Sequence, residues 1–205
     1  MLFRSGALFL SSAVRVQNRL NQTVDITVRS TGSNPALLGS APAGAAGPRS
    51  ASLVLRLAAN TDLAFYFEPT GSSGRVQLTL SAADSSDQVV EPTISQPDVH
   101  MEPQSITANL TSGTSSLTLL VGTIGNLPQR PLPVGNSAGG VVVPIRSSNP
   151  QVVRPASDTV VIRPGESRQT VALQLVGRGD AVLTIDMPAG FGGDVRQKSV
   201  SVQVR

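Results

Sequence analysis

Along most of this chain apolar residues fall on every second position in short bursts, the spacing of a β-strand with one buried face. The clearest stretch is 159–185, where Val160/Ile162, Val171/Leu173/Leu175 and Val182/Ile185 are separated by Pro164-Gly165 and by Gly177-Arg178-Gly179-Asp180. Strand, turn, strand, turn, strand reads as a β-meander. Its expected core residues are Val171, Leu173, Leu175, Val182 and Ile185. A looser copy runs through Leu53/Leu55/Leu57, Leu63/Phe65/Phe67 and, after Gly74, Val76/Leu78/Leu80. No window carries an i, i+3, i+4, i+7 apolar stripe over several turns, so the pattern predicts no helix.

The remaining strands are predicted near 8–17, 23–28, 105–110, 116–121 and 141–145. Residues 89–99 close the first unit, with Pro92 and Pro97 confining that strand to an edge or a bulge. Residues 96–103, which hold Pro97 and Pro103, read as a hinge. Two segments read as loops without packing value: 41–50, made mostly of Ala, Gly and Pro, and 126–140, rich in Pro and Gly. The chain also repeats itself. The run from Val24 to Asn34-Pro35 parallels that from Val141 to Asn149-Pro150, and Gly74 stands as far before Val99 as Gly179 before Val204. The first copy is longer between these anchors, by about the length of the 41–50 loop, as expected when strands hold register and loops vary. Two all-β sandwiches are therefore expected, over residues 1–100 and 101–205, the first lacking its opening strand as an N-terminally truncated piece would.

Composition narrows the function classes. A length of 205 residues suits two sandwiches of about 100 each. With 40% hydrophobic and 14% charged residues the chain is too apolar to be disordered. Aromatic residues are only 3% and Trp is absent, so the core must be Val, Leu, Ile and Ala, and the ring platforms common in sugar sites are scarce. Tyr66, Phe65 and Phe67 share one strand, and at least half of them must face inward. The lack of cysteine excludes disulfides and thiolate metal sites. The net charge is +3, but the cations are scattered arginines with Lys198 the single lysine, which makes no basic stripe for nucleic acid. No apolar run reaches the 18 or more residues of a membrane helix. Residues 1–14 do not read as a signal peptide, since their apolar run is short, no Ala-x-Ala site follows and Val14/Val16 lead into strand-like alternation.

The succession Gly139-Gly-Val-Val-Val-Pro-Ile-Arg-Ser-Ser-Asn-Pro, Val160-Val-Ile-Arg-Pro-Gly-Glu-Ser and Gly179-Asp-Ala-Val-Leu-Thr-Ile resembles the bacterial immunoglobulin-like domains of invasin- and intimin-type adhesins and other repetitive surface proteins. It covers 105–205 well and 8–100 loosely. The resemblance implies tandem immunoglobulin-like sandwiches, a place outside the cell or on its surface, and a structural or adhesive role with no catalytic residues. Neighbouring immunoglobulin-like domains of a longer chain are the implied partners, with a host or cell-surface protein or a glycan as a further candidate. An accessory spacer or glycan-binding domain of an extracellular enzyme, or a phage virion module, is the alternative.

Few residues invite chemistry. Arg178-Gly179-Asp180 spells the tripeptide that integrins recognise and is the candidate binding site, although Gly-Arg-Gly-Asp is also an ordinary polar turn. His100, the sole histidine, reads as an exposed hinge residue, with neither the partners for zinc nor a nucleophile elbow for a triad. Asp98 and Glu102, with Asp84 or Asp87, could be imagined around calcium between the units, but read as solvated carboxylates. No enzyme activity, metal or cofactor is expected.

Overall fold

Alternation decides which side of a strand is buried where one face meets solvent, as it does along 159–162, 168–175, 179–185 and 199–204. The computed structural model describes residues 12–70, 73–123, 131–135, 139–192 and 198–205. Among them the chain forms strands and one 3-10 turn, Leu110–Ser112.

The second half holds β10 (Pro97–Glu102), β11 (Ser105–Ala108), β12 (Thr114–Thr123), β13 (Val141–Ser147), β14 (Val153–Pro155), β15 (Thr159–Ile162), β16 (Arg168–Leu175), β17 (Gly179–Ile185) and β18 (Ser199–Val204). One sheet has the order β10-β12-β16-β14, the other β11-β18-β17-β13-β15. Their inner faces close on a single cluster that includes Val99, Leu119 and Leu173 from the first sheet and Val143, Leu183 and Val202 from the second. Antiparallel pairing throughout, except for the parallel β11–β18 edge, gives the strand order of an immunoglobulin-type sandwich.

The first half repeats this order. It holds β1 (Ser12–Gln17), β2 (Val24–Thr31), β3 (Ala36–Gly39), β4 (Ser52–Leu57), β5 (Asp62–Pro69), β6 (Gly74–Arg75), β7 (Gln77–Ala82), β8 (Gln88–Val90) and β9 (Thr93–Ile94). The sheet β1-β5-β3 stands where β12-β16-β14 stands in the second half, and β4-β2-β7-β8 where β15-β13-β17-β18 stands. No counterpart of β10 or β11 is found among the described residues. A separate cluster fills this sandwich, with Val28, Leu38, Leu57, Phe65 and Leu78 fully or almost fully buried.

Several expectations change. The stretch 159–185 is not a meander: β15 and β17 both pair with β13 in one sheet, while β16 lies in the other between β12 and β14. Turns at Pro164-Gly165 and Gly177-Arg178 carry the chain from sheet to sheet across the core. Alternation is blind to this, because strands of either layer bury one face against the same interior. Within β17 the inward residues are Ala181, Leu183 and Ile185, and Val182 is 38% exposed. Val182 and Ile185 are three apart, which a period of two cannot place on one face.

Residues 96–103 are no hinge. Pro97–Glu102 is β10, paired in register with β12 from Pro97↔Thr123 to Glu102↔Thr118, and Val99 and Met101 belong to the second core. The spacing that equated Val99 with Val204 was therefore fortuitous: Gly74 pairs with Ile94, as Gly179 pairs with Val204. The connection 126–140 contributes to the core after all, since Val134 is fully buried and is held by Val134 N–H to Glu166 O (2.9 Å) and Gly165 N–H to Val134 O (2.8 Å). The parts of that connection at 126–130 and 136–138 lie outside the described residues.

Candidate functional site

The tripeptide singled out from the sequence straddles the start of β17. The turn before it is pinned: Val176 N–H and Gly177 N–H both donate to Val152 O, at 2.9 and 3.3 Å. A Cβ on Gly177 would lie 2.7 Å from Gln151 O, so the turn lies flat on the β13–β14 connection. Gly179 has φ +136° and sits against Val152, where a Cβ would come within 3.2 Å of Cγ2. Arg178 is exposed in the turn, whereas Asp180, also exposed, is already in the ladder opposite Gln203. The tripeptide is thus half turn and half strand, not a protruding loop. Asp180 borders a shallow groove of about 400 Å³ that Ser105, Thr107, Ser148, Ser201 and Gln203 also line. Ile106, Ala181, Val182 and Val202 complete its lining, so hydroxyls, one amide and one carboxylate stand around a mainly apolar floor, with no nucleophile paired to a base.

His100 is buried, contrary to the expectation of an exposed hinge residue, with 6% of its surface accessible. In β10 it alternates with Val99 and Met101 and so faces away from the core, opposite Leu120. Its Nε2 lies 3.4 Å from Gln104 Nε2 and 3.9 Å from Glu102 Oε1, and its Nδ1 is buried without a hydrogen-bond partner. Among the described residues no serine or threonine hydroxyl is hydrogen-bonded to the ring. Asp98, two residues earlier, is also buried, and its carboxylate accepts Val99 N–H at 2.9 Å. Asp84 and Asp87 are exposed between β7 and β8. No group of three or more His, Asp or Glu among the described residues is arranged to hold a metal ion. Of the aromatic strand, Phe65 and Phe67 are buried and Tyr66 is half-buried, so β5 presents no stacking platform.

Sequence reasoning missed a buried ion pair of the first sandwich. Arg49 Nε donates to Glu68 Oε1 at 3.0 Å, with 7% and 0% of the two side chains exposed. Glu68 follows Phe67 in β5 and points to the outer face of its sheet, where the Arg49 side chain from the 41–50 loop lies against it. The signal in the sequence was faint: a lone arginine in a loop of small residues, and a glutamate at the end of an aromatic strand.

No family model matches this chain, and no curated protein matches it. Among solved structures it is similar to the adhesin InvE of Yersinia pseudotuberculosis (13% identity, TM-score 0.39, 98% of this chain and 60% of that one). It is also similar to the D00-D0 domain of intimin (13%, TM-score 0.33, 95% and 97%). A third likeness is to domains 4 and 5 of the S-layer protein SbsC (15%, TM-score 0.36, 64% and 65%). The chain spans less than two thirds of the InvE and SbsC chains it matches. Its strand order, rather than these likenesses, defines its fold. No helix among the described residues is long and apolar enough to cross a membrane.

Proposed function

We propose that the chain is a structural and interaction module, two tandem immunoglobulin-like units of a larger secreted or surface-anchored bacterial protein, and that it acts by spacing rather than by catalysis. The observation that carries this is the pair of hydrophobic clusters with no residue in common, each enclosed by its own two sheets. A module so built transmits load through two independent cores. The division falls just ahead of Pro97, because β10 pairs with β12. The extracellular place rests on the resemblance to adhesin domains.

Stretching single molecules from their ends tests the reading. Two unfolding events are expected, each releasing roughly 30–40 nm of chain at about 3.6 Å per residue. A single event of twice that length would overturn the two-unit spacer.

Binding through Arg178, Gly179 and Asp180 is a second reading, favoured by the exposure of both charged side chains and by the place of Asp180 on the groove. It predicts that Asp180→Glu, which keeps the charge but lengthens the side chain, reduces attachment of integrin-bearing cells to the immobilised protein. Unchanged attachment removes it.

A further inference from the structure

The 41–50 segment is the main insertion that distinguishes the first sandwich from the second: between β3 and β4 the chain needs twelve residues, 40–51, where β14 and β15 are joined by three, 156–158. Arg49 holds it in one shape. Besides the pair with Glu68, its guanidinium donates to Ala41 O at 2.8 Å and to Pro42 O at 3.1 Å, and Ala45 N–H closes a turn on Pro42 O at 3.2 Å. A side chain on Gly39 would occupy the place of that guanidinium.

The loop so fixed reaches the second sandwich. A Cβ on Gly165 would lie 2.6 Å from Gly44 Cα and 2.9 Å from Ala43 O, and one on Gly44 would lie 2.9 Å from Gly165 Cα and 3.2 Å from Pro164 O. Both glycines have positive φ, +84° and +85°, so each turn presents bare backbone to the other. The receiving turn is rigid as well. Glu166 Oε2 accepts Arg163 N–H at 2.9 Å, and Val134, inside the second core, bonds both Gly165 N–H and Glu166 O.

We propose that residues 41–50 are a brace which, seated on the Pro164-Gly165 turn, fixes the orientation of one sandwich relative to the other, with Arg49 and Glu68 as the residues that position it. This rests on the division into two units. It adds that the module is a stiff spacer, because two pre-shaped turns meet backbone to backbone and neither can yield without breaking bonds inside its own unit.

Residual dipolar couplings measured on the intact chain test it. In the native protein both sandwiches should report one common alignment tensor. Gly44→Asn and Gly165→Asn each introduce a Cβ into the contact while using a residue that tolerates positive φ, and each should split that tensor into two with the dispersion of both units retained. Gly113→Asn is the control: its φ is +69° and nothing lies within 4 Å of its Cβ position, so one tensor should remain. Glu68→Gln, which weakens the hold on Arg49, should also split the tensor. Two tensors in the native chain, or one in all the variants, would overturn the brace. Either result leaves the two unfolding events under force unaffected, so the brace can fail while the spacer stands.

Discussion

Cutting Leu173 back to alanine lowers the stability of the second sandwich by about 2–5 kcal/mol, the range for a leucine removed from a close-packed interior. Leu173 has no accessible surface and sits mid-way along β16, an inner strand opposite Ser115 of β12 and Pro155 of β14. Neighbours on both sides are fixed in ladders, so the space left by the side chain cannot close by a simple shift of the strand. For a unit of about 100 residues, each kcal/mol corresponds to about 4–8 °C in Tm. The midpoint of the second unit should therefore fall by about 10 °C or more in calorimetry. The transition of the first unit should stay in place, because its cluster shares no residue with that around Leu173. A loss below about 0.5 kcal/mol would mean that Leu173 lies outside the packed interior. A parallel fall in both transitions would mean that the two clusters unfold as one block.

Leu173 was legible in the sequence because three apolar residues at spacing two, flanked by Ala172, Gln174 and Thr170, leave only one face to bury. The same logic succeeded for Leu55, Leu57, Val76 and Leu78. What it could not supply was the partner of each strand. Hydrogen-bond pairing depends on which layer a strand joins, and β15, β16 and β17 look alike in pattern although they alternate between layers. Proline misled at β10: Pro97 and Pro103 marked a break, yet Pro97 opens the edge strand of a sheet, a position that needs no donor from it. His100 was misjudged for a related reason, since a polar residue between two prolines looked exposed, whereas its strand lies in a sheet covered on both faces at that point. The segment 41–50 was legible as a loop, but what it does was not. Its role resides in backbone contacts of Gly44 and in a pair, Arg49 with Glu68, whose members are far apart in sequence and outside any periodic pattern.

At that pair charge matters to the stability of the first sandwich. Replacing Glu68 with leucine is expected to cost about 3–5 kcal/mol, since it leaves a guanidinium almost wholly out of water without its carboxylate. Arg49→Met should cost a comparable amount by removing that guanidinium from the buried Glu68 carboxylate. The double variant should recover most of the loss, because two apolar side chains need no compensation for lost hydration, whereas one buried charge does. Urea unfolding of the four proteins gives the coupling directly as a double-mutant cycle. The surface pairs offer the contrast. Arg56 with Asp25 at 4.0 Å and Arg146 with Asp186 at 2.8 Å are largely exposed, and removing them should cost between 0 and about 1 kcal/mol. Salt separates the two kinds: raising ionic strength to about 1 M shortens the screening length to about 3 Å and should erase the surface contributions while leaving the Arg49–Glu68 coupling nearly intact. A coupling below about 0.5 kcal/mol, or one that disappears in salt, would show that water reaches the pair and that the loop over β5 opens freely.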